Sequence, residues 1–115
     1  MATVLNQKAL DHATALIRDG HVTRNDHGEW SAEQPDTAQE NAFIEAHGWP
    51  AYAEWHLGVD PAADPRTKRA YSFPYGDFAR VDRAGVVAVE ERAAQHDHAS
   101  IAAAAQSLLA LIDGR

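Results

Sequence analysis

The segment Tyr71-Ser72-Phe73-Pro74-Tyr75-Gly76-Asp77-Phe78 constrains the fold more than any other part of the chain. It gathers aromatic rings around a Pro, a Gly and an Asp. Pro74 pushes Phe73 towards extended geometry, Gly76 permits a turn, and Asp77 suits the cap of a helix beginning at Phe78. The chain is therefore expected to turn here and to bury aromatic surface here. No reaction chemistry attaches to the pattern.

With 115 residues, of which 45% are hydrophobic, the chain reads as one domain spanning 1–115. A chain of that size removes on the order of 65% of its unfolded surface from water without covalent staples. The absence of Cys excludes a disulfide framework, a thiolate zinc site and a cysteine nucleophile. No apolar run reaches the roughly 18 residues of a membrane span, so a soluble, cytoplasmic protein without membrane contact is expected. A formal net charge of −7 repels phosphate backbones. The basic residues Arg66, Lys68, Arg69, Arg80 and Arg83 are interrupted by Asp64, Asp77 and Asp82, and nucleic acid is not an expected partner.

The periodicity predicts an all-α fold: a compact bundle of about five helices with a long C-terminal helical hairpin. A first helix runs from Asn6 to Asp19, with Leu10, Ala13 and Ile17 on one face and Gly20 as its stop. The stretch near 21–30 loses the helical period and allows one small irregular β-hairpin around Asn25-Asp26-His27-Gly28. Thr37-Ala38-Gln39-Glu40 fits a capping box for a second helix ending at Gly48. Pro50 to Leu57 reads as a short helix stopped by Gly58, and Asp64-Pro65 can start one further turn. Phe78 to Gln95 carries Ala84-Gly85-Val86-Val87-Ala88-Val89 and reads as the central helix. Asp97 then caps a last helix over 98–113, with Ile101, Ala105, Leu108 and Ile112 on one stripe.

Seven His residues raise the question of a metal, yet His96 and His98 lie two apart, whereas helix-borne ligand pairs need spacings of three or four. The structural alternative puts His96 in a last helical turn, favoured by the dipole. No metal and no cofactor are expected. His56, in Trp55-His56-Leu57-Gly58, is a candidate acid or base with Asp77 or Glu54 as carboxylate partner; its structural alternative is a boundary His bonding helix carbonyls. Trp49, Trp55, Tyr71, Phe73 and Tyr75 are candidate partner-binding residues, because aromatic rings give large contact area at low entropic cost. Packing of loops onto the core would use the same rings, with Tyr75 and Trp49 left partly exposed.

The blocks Glu40-Asn41-x-Phe43-Ile44-x-x-His47-Gly48, Trp55-His56-Leu57-Gly58-x-Asp60 and Phe73-Pro74-Tyr75-Gly76-Asp77-Phe78 resemble a family of small bacterial hypothetical proteins of unknown function. The resemblance extends through Arg83, Arg92 and His98 and so covers most of the chain. At Asp82 and Ala84 the chain departs from the His and Cys of that pattern, which removes any His- or Cys-based chemistry the likeness would imply there. Pro74-x-x-Asp77-x-x-x-Val81 is also similar to helix-turn-helix segments found near phage head maturation proteins. Neither resemblance implies a substrate, cofactor or activity.

The function expected from these residues is a non-enzymatic protein-interaction or structural module, acidic and soluble, meeting a protein partner or forming a homo-oligomer. The alternative is a small metal-assisted or His/Asp-based, hydrolase-like enzyme using His56, His96 and His98 with Asp77.

Overall fold

The computed structural model describes residues 3–25 and 29–114. In chain order its elements are β1 (Val4–Leu5), α1 (Gln7–Arg18), β2 (Val22–Thr23), α2 (Trp30–Glu33), α3 (Thr37–His47), α4 (Trp49–Ala53), β3 (His56–Val59), β4 (Tyr71–Pro74), β5 (Val81–Asp82), α5 (Arg83–Gln95) and α6 (Ala99–Ile112). A short 3-10 turn, Lys68–Ala70, precedes β4.

The fold is mixed α/β rather than all-α. One sheet orders β1-β3-β4, antiparallel throughout, and a second pairs β2 with β5 in parallel. The expected helix Pro50–Leu57 divides in two: α4 stops at Ala53, and His56–Val59 becomes the central strand of the larger sheet. Gly58 is a close-packing position there rather than a helix stop. A Cβ on it would lie 2.6 Å from the Ser72 hydroxyl and 2.7 Å from the Phe73 ring. Strand pairing won because its partners, Leu5 and Ser72, are remote in sequence and leave no local signal at 56–59.

The hairpin expected near 21–30 is replaced by the β2–β5 ladder, in which Val22 pairs with Val81 and Thr23 with Asp82. Trp30 opens α2 instead of a strand. The expected turn at Asp26-His27-Gly28 lies outside the described residues.

The aromatic segment also differs from expectation. Phe73 adopts φ +61° despite preceding Pro74, and Phe78 adopts φ +71°. Left-handed geometry costs a non-glycine residue about 1 to 2 kcal/mol, so ring packing must hold both in place. Phe78 stacks on Phe43 at 4.3 Å and 10°, and Phe73 meets His98 edge-on at 5.6 Å. Asp77 Oδ1 accepts the N–H groups of Ala79 and Arg80, at 3.0 and 2.8 Å, but these close a turn rather than a helix. The central helix starts five residues later than expected, at Arg83, where Asp82 is the N-cap and accepts the Gly85 N–H at 3.0 Å. Pro74 to Val81 is thus a strand end, a turn and a strand start, with no helix-turn-helix.

The helical packing follows the apolar stripes. Ala9, Ala13 and Ile17 of α1, Val86, Val89 and Ala93 of α5, and Ile101, Ala105, Leu108 and Ile112 of α6 bury one core together with Leu57, Tyr75 and Val81. Helix α6 packs on both α5 and α1. Asp97 takes φ +61° in the α5–α6 turn, and α6 is preceded by His98 rather than capped by the Asp97 side chain. The capping box of α3 is formed by Asp36 and Gln39, one residue earlier than Thr37 and Glu40: Gln39 N–H donates to Asp36 at 2.8 Å and Asp36 N–H to Gln39 at 2.9 Å.

Gly85 faces the indole of Trp30, the first residue of the short helix α2 that packs on α5. A Cβ built there lies 3.0 Å from the ring. Gly85→Leu is therefore expected to cost about 1 to 3 kcal/mol by overpacking. In a Trp30→Ala background the same substitution should cost clearly less, because the ring it strikes is gone. Chemical denaturation of the four proteins checks this, and equal costs in both backgrounds would contradict it.

Candidate functional site

An open groove of about 960 Å³ lies on the surface of the described residues. Its walls come from three places that the fold brings together: the first turn of α1, helix α4, and the loop following Asp60. Each is positioned by identifiable bonds.

Asn6 sets the first wall. Its side chain does not cap α1; the amide donates to the carbonyls of Ala53 at 3.0 Å and His56 at 3.2 Å, while its backbone N–H donates to Leu57 O at 2.8 Å. The first turn of α1 is thereby held beside the end of α4, which carries Lys8 to the groove.

Helix α4 begins after Gly48 at φ +86°, with Pro50 in its first turn. Trp49 meets Tyr52 edge-on at 5.6 Å, and Tyr52 is buried, its hydroxyl 3.3 Å from Glu40, which also pairs with Lys68 at 3.2 Å. Trp49 therefore stands on a fixed base with part of its ring exposed.

The third wall is a loop braced by its own polar groups. Asp64 accepts the Arg66 N–H at 2.9 Å and its carbonyl accepts the Thr67 hydroxyl at 2.7 Å. The Tyr71 hydroxyl donates to Pro65 O at 2.8 Å. Burial, then the nearby Asp64 charge, raises the Tyr71 pKa, so this phenol stays protonated and remains a donor. Arg66 and the Tyr71 ring consequently line the groove together with Trp49.

The groove combines an apolar floor of Trp49, Tyr71, Pro50 and Pro65 with the cations Lys8 and Arg66. Glu54 is its carboxylate and His47 its imidazole. Among the described residues neither the Lys8 nor the Arg66 side chain makes an ion pair or a side-chain hydrogen bond.

Of the aromatic residues singled out in the sequence, the structure brings Trp49 and Tyr71 together here. Trp55 and Tyr75 are core residues instead, at 5% and 0% exposure, so the expectation that Tyr75 stays partly exposed is corrected. Their rings stack at 5.5 Å, and the Tyr75 hydroxyl has its hydrogen bonds satisfied inside. Phe73 lies half-buried against His98, away from the groove lining. Sequence reasoning missed Lys8 altogether, since only the Asn6 contacts carry it across. Arg66 was visible as part of a basic cluster, and that cluster disperses: Lys68 pairs with Glu40 and Arg83 with Asp113 at 3.0 Å.

The acid–base candidates are not assembled. His56 is buried, with Nδ1 2.8 Å from Tyr52 O, so that nitrogen carries a hydrogen and donates it. Burial lowers its pKa to about 4, partly opposed by that hydrogen bond and by the Glu40 charge. Asp77 is exposed, its carboxylate engaged with Ala79 and Arg80 rather than with His56. His96 is exposed on the α5–α6 turn, and His98 lies against Phe73. Among the described residues no three His, Asp or Glu side chains group as metal ligands, and no helix is long and apolar enough to cross a membrane.

Compared with protein-family models, curated proteins and solved structures, the chain matches none.

His56 makes a pH prediction with a definite sign. Its folded-state pKa lies below the ordinary value of 6.5, so between pH 6.5 and about 4 the unfolded chain binds the proton and the folded chain does not. The stability His56 contributes is complete above pH 6.5 and is lost as pH falls towards 4, by roughly 3 kcal/mol in all. His56→Gln, which keeps a donor but does not titrate, should flatten that part of the profile. Denaturation midpoints measured from pH 8 to 4 check it, and superimposable profiles for the two proteins would contradict it.

Proposed function

We propose that the chain is a non-enzymatic protein-interaction module that docks an acidic segment of a partner protein in the groove between α1, α4 and the loop bearing Arg66. One observation carries this reading: a chain of net charge −7 keeps Lys8 and Arg66 without ion-pair partners beside exposed parts of Trp49 and Tyr71. Glu54 lines the same groove and the Asp64 carboxylate lies beside Arg66, yet neither forms an ion pair with Lys8 or Arg66. Aromatic rings beside a cationic rim are what acidic, partly apolar peptide segments require. The rings supply contact area, and the charges steer encounter and fix orientation. The same field disfavours cationic partners.

An enzyme reading finds no comparable support, because His56 is buried and neutral and Asp77 points elsewhere.

Affinity capture from lysate tests the proposal when wild type is compared with the double variant Lys8→Glu/Arg66→Glu and with Ala103→Lys, an exposed control on α6. A protein retained by wild type and by the control should fall about tenfold or more on the charge-reversed groove. Retention that ignores the groove variant would contradict the proposal. Sedimentation of the purified protein should give a monomer. A dimer abolished by the groove variant would make a second copy of this chain the occupant instead.

A further inference from the structure

Resting on the docking reading above, we infer that the segment recognised is a proline-containing polyproline II stretch flanked by acidic residues. The floor of the groove pairs the partly exposed rings of Trp49 and Tyr71 with Pro50 and Pro65, and it is open to solvent rather than enclosed. An open, ring-lined trough suits an extended chain. Pyrrolidine rings pack flat on indole and phenol faces, and a polyproline II segment is already extended, so binding it orders few torsions.

The rings are fixed before a ligand arrives. Trp49 rests on buried Tyr52, and Tyr71 is tied through its hydroxyl to Pro65. A preformed surface of this kind gains most from a preformed ligand, since neither side loses much freedom on association. Tyr71 is the one β-strand residue in the lining, at the first position of β4, an edge strand that pairs with β3 through Val59. A single strand residue gives strand addition no backbone row along the groove, so side-chain contact must carry recognition.

Lys8 and Arg66 come from different parts of the fold, one on α1 and the other on the Asp64-braced loop. Both add positive charge to the surface that Trp49 and Tyr71 line. Acidic residues at both ends of a short proline run would meet them. A central acidic residue among the rings would instead lie near Glu54 and be disfavoured.

The test uses capped peptides and Trp emission. Trp30 and Trp55 are buried, at 9% and 5% exposure, so a change in emission on binding reports on Trp49. The peptide EEPPPPPEE should shift the emission saturably, and the shift should vanish in Trp49→Phe. Affinity should drop about tenfold or more for KKPPPPPKK and for the flexible EESGSGSEE. Raising salt should weaken the first peptide, because its charged flanks are solvent-exposed. Equal binding of EESGSGSEE, or an equal response to free glutamate at the same carboxylate concentration, would overturn the inference. So would failure of EEPPPPPEE to bind. If that failure accompanies groove-dependent protein capture, the docking reading stands and only the polyproline assignment falls; if capture also ignores the groove, both fall.

Discussion

The buried phenol of Tyr75 holds together the parts of the molecule on which everything else rests. Its hydroxyl donates to Glu54 O at 2.7 Å, which leaves it to accept from His12 Nδ1 at 3.0 Å and so fixes the hydrogen on that nitrogen. Its ring stacks on Trp55, which in turn meets His12 edge-on at 5.0 Å. Its backbone N–H donates to Trp55 O and its carbonyl accepts the Asp82 N–H. One residue thereby joins α1, the α4–β3 turn, the end of β4 and the cap of α5. Burial raises its pKa, so the phenol stays protonated and the donor to Glu54 O persists across the neutral range. Gly76, next in sequence, follows from the same packing: a Cβ there would lie within 2.5 Å of the Trp55 ring and against the Arg80 carbonyl.

The groove is the outer consequence of that inner junction. Tyr75 holds the Glu54 carbonyl from inside, and Asn6 holds the Ala53 carbonyl from the α1 side, so the end of α4 is fixed from two directions. Lys8 and Glu54 reach the surface because of those two bonds. The energetic division of labour is also clear. An exposed ion pair contributes about 0.2 to 1 kcal/mol, whereas truncating a central aromatic anchor commonly costs 2 kcal/mol or more. In the proposed docking, the rings of Trp49 and Tyr71 would supply most of the affinity, and the cations the choice of partner and its orientation.

Apart from α2, where a strand was expected, the helices were legible in the sequence and the strands were not, for a physical reason. Helix α1, α3 and the α5–α6 pair announce themselves through local periodicity and local caps, and their limits move by only a few residues when seen in three dimensions. The five-residue delay of α5 arose because Asp77 and Asp82 both have backbone donors to bind two or three residues ahead. Only Asp82 binds one inside a helix. Strands β1, β2 and β5 are two residues long, and β3 is four with a Gly inside it. Their stability lies in partners far along the chain, and no window of sequence contains both members of a pair. Trp49 and Tyr71 were found because aromatic residues beside Pro and loop punctuation are candidates for exposure wherever they fall. Tyr75 was misread by the same rule, since its burial depends on His12 and Glu54, which nothing nearby reveals. Lys8 gave no signal at all, because a lysine in a first helical turn is ordinary until Asn6 is seen bonding to α4.

Chemical-shift mapping by NMR tests the central claim most directly, because it reads the whole surface without presupposing the site. With the acidic proline peptide added to the isotopically labelled protein, the largest shifts are expected at the Trp49 indole N–H and the backbone amides of Lys8, Ala51, Glu54, Arg66 and Tyr71. The signals of α5 and α6 should remain in place. Saturable shifts centred on another surface, with those groups unmoved, would contradict the account.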